Sequence, residues 1–192
     1  MINKDFIIKK YSLDHNQEHL LVNYILELKK YNEHTNLIGK STLTDLWNRH
    51  VLDSAQIKKF IKNKKLSIID MGTGAGLPGL ILFIMGYKNI SLVDSNNKKT
   101  KFLFYVSEKL KIKPKIILGR IENIKNSKYD YIISRAVANL DKLLTYSQNF
   151  LKKNTVLIFL KGKTVNYEIL KAKENWIFSY ELFDSISGSE GK

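Results

Sequence analysis

The spacing of apolar positions divides the chain into a helical beginning and a remainder in which two periodicities alternate. Over residues 14–32, apolar side chains recur every three or four positions, which predicts an amphipathic helix. A similar stripe predicts a second helix over about 42–62, and residues 31–39 are expected to form the loop between the two. We therefore expect residues 1–62 to form an N-terminal helical subdomain.

From residue 63 onward, short apolar, β-branched runs alternate with longer amphipathic segments. Strands are predicted at 66–70, 90–94, 115–118, 129–134, 155–160 and around 176–182, and helices near 78–86, 97–111, 139–151 and 164–173. This alternation with short connections is typical of a mainly parallel, doubly wound α/β sheet. Residues 63–192 should then form a Rossmann-like domain that binds its ligand at the carboxyl ends of the strands.

A glycine-rich loop lies between the first predicted strand of this domain and the helix that follows it. Its sequence is Asp70-Met71-Gly72-Thr73-Gly74-Ala75-Gly76-Leu77-Pro78-Gly79. Glycines at alternate positions let the backbone approach a nucleotide-like ligand closely. The loop also satisfies the dinucleotide pattern G-x-G-x-x-G through Gly74, Gly76 and Gly79, so an NAD-dependent oxidoreductase remains an alternative.

Asp70 favours a cationic ligand over a dinucleotide. A carboxylate at the strand end would repel a pyrophosphate and attract the sulfonium and ammonium groups of S-adenosylmethionine. Pro78 lies where the next helix should begin, a position at which its missing N–H costs nothing. We therefore predict a methyl-donor site formed by the loop residues Asp70, Gly72, Thr73, Gly74, Gly76 and Leu77.

A second acid, Asp94, ends the next predicted strand about twenty residues beyond the loop. In a doubly wound sheet, a carboxylate at this position can accept hydrogen bonds from both hydroxyls of a ribose. The alternative is an exposed turn residue before Ser95-Asn96-Asn97, which is a common environment at the start of a helix. We favour the ribose role because the glycine loop precedes it.

Composition narrows the choice of partner. The 192 residues carry a formal net charge of +14 with a pI near 9.7, which favours a polyanionic partner, although a general bias towards lysine and asparagine explains part of the excess. A non-catalytic RNA-binding protein is therefore a further alternative. There is no cysteine, and the four histidines lack metal-ligand spacing, so we expect no metal. Without a long apolar run or a secretory leader, a cytoplasmic protein is expected.

Arginine is rare in this lysine-rich chain and occurs only at positions 49, 120 and 135. Its planar fork binds phosphates, guanine edges and carboxylates in a way that a lysine ammonium does not reproduce. We therefore expect Arg49, Arg120 and Arg135 to be functional. His50 and Asp53 lie one turn apart on the second predicted helix, and we expect them to pair and orient the subdomain against the sheet.

Several strings occur in an order that identifies a family. They are Asn36-Leu37, Arg49-His50-Val51-Leu52-Asp53-Ser54, the loop from Asp70 to Gly79, Leu92-Val93-Asp94-Ser95, Gly119-Arg120-Ile121-Glu122, Ser134-Arg135-Ala136 and Leu160-Lys161-Gly162. In these strings the chain resembles the ribosomal RNA small subunit methyltransferase G family, also called glucose-inhibited division protein B. All three arginines lie inside them.

This resemblance implies S-adenosylmethionine-dependent methylation of a guanine at N7 in small-subunit (16S) ribosomal RNA. It also implies a class I methyltransferase sheet, a ribosomal RNA or small-subunit partner and a monomer. By the same analogy, Ile121, Glu122 and Arg135 join Asp94 and the loop around the cofactor, Asn36, Arg120 and Arg135 are catalytic, and Arg49 and Lys161 bind RNA. One departure is that relatives continue into a final antiparallel strand, which we expect to be missing here, leaving a sheet edge exposed.

Overall fold

The computed structural model describes residues 4–125 and 127–187 of the 192. In this part of the chain a single sheet contains five parallel strands, which are β1 (Ile68–Met71), β2 (Ile90–Asp94), β3 (Lys115–Leu118), β4 (Tyr131–Arg135) and β5 (Val156–Leu160). Their order is β3-β2-β1-β4-β5, so the chain reverses direction across the sheet between β1 and β4. The predicted doubly wound α/β fold is confirmed.

Strand register brings the predicted site to one edge of this sheet. Met71 pairs with Val93 of β2 on one side and with Ser134 of β4 on the other. Gly72, Asp94 and Arg135 each come one residue after these positions, so they leave the three central strands at the same level. The carboxyl edge is therefore where the glycine loop, the acid of β2 and the arginine of β4 meet.

Seven α-helices accompany the sheet in the described residues. They are α1 (Lys4–Tyr11), α2 (His15–Asn32), α3 (Asp53–Ala55), α4 (Gly79–Ile84), α5 (Asn97–Lys109), α6 (Leu140–Ser147) and α7 (Val165–Ala172). The helix predicted at 14–32 is confirmed as α2, and Asp14 caps it in a reciprocal capping box with Gln17. Helix α1 was not predicted, because Ile7 is the only residue of its eight that is buried and the apolar stripe is correspondingly weak.

The prediction of one continuous α-helix over 42–62 is wrong, because the type of helical hydrogen bonding changes along this segment. The chain there forms a 3-10 helix (Lys40–Asp45), a π-helical turn (Trp47–Leu52), the short α3 and a second 3-10 helix (Gln56–Phe60). The apolar stripe reports which face of a segment is buried, but it does not report how wide each turn is. Wide π turns often occur at functional sites, and this one contains Arg49 and His50.

The strand predicted around 176–182 is also wrong. Trp176 and Phe178 pack against the apolar faces of α6 and α7, whereas Ile177 between them is fully exposed. This gives the alternation of a strand, but the segment follows the helices and forms no ladder. Within the described residues the sheet ends at β5, which pairs only with β4, and the expected absence of a final antiparallel strand stays a prediction.

The N-terminal helices and the sheet share one hydrophobic cluster. It includes Ile7, Leu21 and Leu28 from the helices together with Leu92 and Ile133 from the sheet. The buried Tyr24 hydroxyl donates to the Ala75 carbonyl at 2.9 Å and so connects α2 to the glycine loop. The division at residues 62 and 63 stays a prediction.

Among the described residues, no helix has both the length and the hydropathy required to cross a membrane.

Candidate active site

A cavity of about 580 Å³ opens at the carboxyl edge of β1, β2 and β4. The structure brings together on its wall nine of the residues that the sequence predicted for the site. These are Gly72, Thr73, Gly74, Leu77, Asp94, Arg120, Ile121, Glu122 and Arg135. The volume lies in the range of sites that bind small molecules and cofactors. We call it the donor cavity.

The glycine loop is held in a conformation that side chains disfavour. Gly72 and Gly74 have φ angles of +67° and +60°, in the left-handed region. A Cβ atom at Gly72 would lie 2.3 Å from the side chain of Val137, so the loop packs directly on the turn after β4. At Gly74 the same atom would meet nothing closer than 3.9 Å, which leaves open space above this part of the loop.

Asp94 is one of two carboxylate residues on the wall of the donor cavity, and Glu122 is the other. Its Oδ2 accepts from the Gly74 backbone N–H at 2.8 Å, and its Oδ1 accepts from the Asn96 N–H at 2.8 Å. Asn96, and not Asp94, caps the first turn of α5. A carboxylate has about four lone-pair sites, so Asp94 keeps acceptor capacity for ribose hydroxyls. Asp94 thus also closes the turn to Asn96, and its ribose role stays a prediction.

Asp70 lies behind the loop and is not on the cavity wall. Its Oδ2 accepts from the Thr73 hydroxyl at 2.6 Å and from the Gly79 N–H at 2.8 Å, and burial raises its pKa from 3.8 to about 7. A buried, partly protonated carboxyl that fixes the loop attracts a cation weakly. The expectation that Asp70 faces the ligand is therefore corrected, because the acids on the cavity wall are Asp94 and Glu122.

Two other predicted residues also lie off the wall of the donor cavity. Gly76 serves packing, since a Cβ atom there would lie 2.7 Å from that of Leu80. Asn36 is exposed in the loop after α2, while its neighbours Leu37 and Ile38 line the cavity. The backbone N–H groups of these two neighbours donate to Asn32 Oδ1 at 2.8 and 3.0 Å, which fixes the loop beside the cavity.

Arg135 joins the sheet to the N-terminal segment. Its Nη1 donates to the Arg49 carbonyl at 3.1 Å and to Asp53 Oδ2 at 3.3 Å, and its Nη2 lies 3.1 Å from His50 Nδ1. The side chains of Arg135 and Asp53 are only 17% and 14% exposed. Within the described residues His50 and Asp53 do not form the predicted direct pair. Each of them contacts Arg135 instead.

The contacts of His50 fix its protonation state. An arginine can only donate, so Nδ1 of His50 accepts from Arg135, and Nε2 carries the proton and donates to the Thr42 hydroxyl at 2.8 Å. Burial and the charges of Arg135 and Arg49 lower the pKa of His50 from 6.5 to about 3. His50 is therefore neutral near pH 7, with both ring nitrogens engaged.

A second cavity of about 760 Å³ adjoins the first and shares His50, Arg135 and Val137 with it. We call it the acceptor cavity. Of the residues predicted to bind RNA, both Arg49 and Lys161 line it. The side chain of Arg49 is exposed, whereas the Lys161 ammonium contacts Glu168 at 2.6 Å and donates to the Ala138 carbonyl at 2.8 Å. Lys161 is thus anchored and its charge is neutralised.

Sequence reasoning missed several residues of the donor cavity, including Asn96, Lys99, Val137 and Tyr146. The Lys99 ammonium lies near the open space above Gly74, 3.9 Å from the position of a Cβ atom there. No sequence signal singles it out in so lysine-rich a chain. The Asn96 signal was present, since Asn is a favoured helix cap and Asn96 comes directly before the predicted helix.

Comparison with known proteins agrees with this geometry. The family model described as "GidB: rRNA small subunit methyltransferase G" matches residues 17–192. A protein named ribosomal RNA small subunit methyltransferase G from Orientia tsutsugamushi (strain Ikeda) is 38% identical over 183 residues, covering 95% of this chain and 91% of that protein. One of the same name from Rickettsia prowazekii (strain Madrid E) is 39% identical over 165 residues, covering 86% and 85%.

Solved structures share the fold at low sequence identity. A ribosomal protein L11 methylase from Lactobacillus delbrueckii superposes with a TM-score of 0.56 at 18% identity, covering 64% of this chain and 65% of that one. A putative RNA methyltransferase from Pyrococcus horikoshii gives 0.52 at 16% identity, covering 64% of each chain. The fold is thus that of methyltransferases, and by its sequence the chain belongs to the ribosomal RNA small subunit methyltransferase G family.

Proposed function

We propose that this protein transfers a methyl group from S-adenosylmethionine to N7 of a guanine in small-subunit ribosomal RNA. The observation that carries the proposal is the meeting of two cavities at Arg135. One has the loop and carboxylate suited to a methyl donor, and the other has an arginine on its wall and opens to solvent. A donor and an acceptor bound in these cavities would lie on either side of one fixed side chain.

The donor cavity fits S-adenosylmethionine by its chemistry. Asp94 offers lone pairs for the ribose hydroxyls, and the 3-10 turn at Ile121–Asn123 presents backbone groups beside the space for the base. The open space above Gly74 would admit the amino-acid portion close to the backbone. When bound, this cosubstrate supplies a methyl group activated by the positive sulfonium.

The acceptor chemistry requires no general base. Guanine N7 has an in-plane lone pair and no proton, so the protein has only to hold it in line with the methyl carbon at short distance. His50, the only histidine on the walls of the described cavities, is neutral and fully hydrogen-bonded, which agrees with a reaction that removes no proton before methyl transfer. Positioning falls to Arg135 and Arg120, and Asn36 is exposed in the loop beside the donor cavity.

The RNA itself would be held by charge. The net charge of +14 supplies long-range attraction, and Arg49 provides an exposed fork at the acceptor cavity. Lys161 contributes by holding that cavity in shape through Glu168 and the Ala138 carbonyl. We further propose that the protein acts as a monomer in the cytoplasm, where ribosomal RNA is found.

The first test is a methylation and binding experiment on the purified protein. Ribosomal RNA and assembled small subunits lacking the modification are incubated with S-adenosylmethionine, and 7-methylguanine is mapped at nucleotide resolution. Calorimetry should detect S-adenosylmethionine and no NAD. Asp94→Asn should weaken S-adenosylmethionine binding about tenfold, because two charge-assisted hydrogen bonds become neutral ones.

The matched control is Asp5→Asn, which changes an exposed carboxylate of α1 and should leave binding unchanged. Binding of NAD without S-adenosylmethionine would contradict the donor assignment. Methyl transfer to another atom or to another class of RNA would contradict the acceptor assignment.

A further inference from the structure

The last described residues of the chain return to the N-terminal segment, far from the helix that precedes them. We call residues 183–187 the C-terminal clasp. Phe183 packs on Phe60 with ring centroids 4.8 Å apart, and the Lys59 ammonium lies 4.9 Å from the centre of the Phe183 ring. The Ile186 N–H donates to Gln56 Oε1 at 3.1 Å. The clasp is thus anchored on the 3-10 helix that directly follows α3.

Hydroxyl groups of the clasp converge on one oxygen of Asp53. Its Oδ1 accepts from Ser187 at 3.1 Å and from Ser185 at 3.3 Å, and Gln56 Nε2 donates to the same oxygen at 2.9 Å. Ser187 is fully buried, so its hydroxyl is well shielded from water. The other oxygen of the carboxylate, Oδ2, accepts from Arg135.

Asp53 therefore links the clasp to the residue between the two cavities. Three donors fix the plane of its carboxylate from one side, and this plane sets where Oδ2 holds the guanidinium of Arg135. Because Arg135 lines both cavities, a rotation of Asp53 would move a group that both substrates contact. Ser185 itself lines the acceptor cavity.

We propose that the C-terminal clasp is a positioning element for methyl transfer, in which Ser185 and Ser187 orient Asp53 so that Arg135 is held for the acceptor base. The inference rests on the proposed function and adds Asp53, Ser185 and Ser187 to it as positioning residues. Asp53 and Ser185 lie on the wall of the acceptor cavity, and the role proposed for all three residues is to act through Arg135. Phe183 anchors the clasp by packing, so the hydroxyl groups serve orientation more than attachment.

The test compares Ser185→Ala/Ser187→Ala in the full chain with Ser179→Ala, a matched control at an exposed serine of the same terminal stretch. The double variant should lower kcat for methyl transfer about tenfold, because small misplacements of a positioning group reduce the rate strongly. The Kd for S-adenosylmethionine should stay within about twofold, since Asp94 and the glycine loop are untouched. Ser185→Thr, which keeps a hydroxyl, should retain the wild-type kcat.

A second readout works whatever the substrate is. Hydrogen exchange of the backbone at residues 134–137 should become faster in the double variant and remain unchanged in Ser179→Ala. Wild-type kcat together with wild-type exchange in the double variant would overturn the clasp. Absence of methylation by the wild-type protein would instead overturn the proposed function, and the exchange comparison would still decide whether the clasp orients Arg135.

Discussion

Arg135 and Arg120 both lie at the carboxyl edge of the sheet, and both are expected from the sequence to be functional. In the structure their surroundings differ. Arg135 ends the central strand β4 and is held by Asp53, His50 and the Arg49 carbonyl. Arg120 follows the edge strand β3 and is exposed, and its side chain has no hydrogen-bond or ion-pair partner among the described residues. Both line the donor cavity.

The difference shows two ways to use the same side chain. The position of Arg135 is fixed during folding, so little conformational entropy remains to be lost when a substrate binds. Arg120 keeps all five donors of its fork available for a ligand but must be ordered by it. We therefore expect Arg135 to matter for both stability and rate, and Arg120 to matter for rate alone.

The largest expected effect is that of Arg135→Ala. Removing this partner leaves the Asp53 carboxylate and His50 Nδ1 in a largely buried place without their charged donor, which should cost about 2–3 kcal/mol of the free energy of unfolding. The kcat for methyl transfer should fall at least about 100-fold, because the fixed group between donor and acceptor is gone. Urea unfolding and single-turnover methylation measure the two quantities.

Arg135→Lys separates charge from the shape of the fork. A lysine keeps the charge but cannot reach Asp53, His50 and the Arg49 carbonyl with one planar group. It should recover part of the stability and little of the rate. Full recovery of the rate by lysine would break the contrast, since the fixed geometry of Arg135 would then be irrelevant.

A smaller effect is expected for Arg120→Ala, and only on the rate. The free energy of unfolding should change by less than about 0.5 kcal/mol, because an exposed side chain with no partner contributes little. The kcat/KM for RNA should fall about 10- to 30-fold through the loss of one charge-assisted contact. A loss of stability comparable to that of Arg135→Ala would show that Arg120 also has a structural role.

The glycine loop and the sheet were predictable because local signals specify them. The alternate glycines and the acid at the end of β2 each have a backbone reason for their position, which is visible in the φ angles of the loop and in the Gly74–Asp94 hydrogen bond. The scarcity of arginine predicted that the three arginines are functional, and each of them lines at least one of the two cavities.

The remainder depends on contacts between distant parts of the chain. Nothing in the string Arg49-His50 predicts a π turn, and nothing in Ser185 predicts that it reaches Asp53, 132 positions earlier. The direction in which Asp70 points was missed for the same reason. A strand end places a carboxylate near a ligand, but packing against Gly79 decides whether the carboxylate faces it.

The smallest effect concerns the charge that each arginine exerts on Asp70. Burial raises the pKa of Asp70 from 3.8 to about 7, and Arg135, but not Arg120, is among the groups whose charge lowers it. Between these pH values the folded chain holds a proton that the unfolded chain has released, so the free energy of unfolding should fall as pH rises from about 4 to about 7. Asp70→Asn should lack this part of the decline.

Carboxyl ¹³C titration of Asp70 by NMR compares the effects of the two arginines on its pKa. Arg135→Gln removes the nearby positive charge, so the titration of Asp70 should move to higher pH. Arg120→Gln is the matched control and should leave the titration where it is in the wild-type protein. Equal shifts in both variants would mean that the two arginines exert the same field on the glycine loop, and the contrast between a fixed and a free arginine would then be limited to their hydrogen bonds.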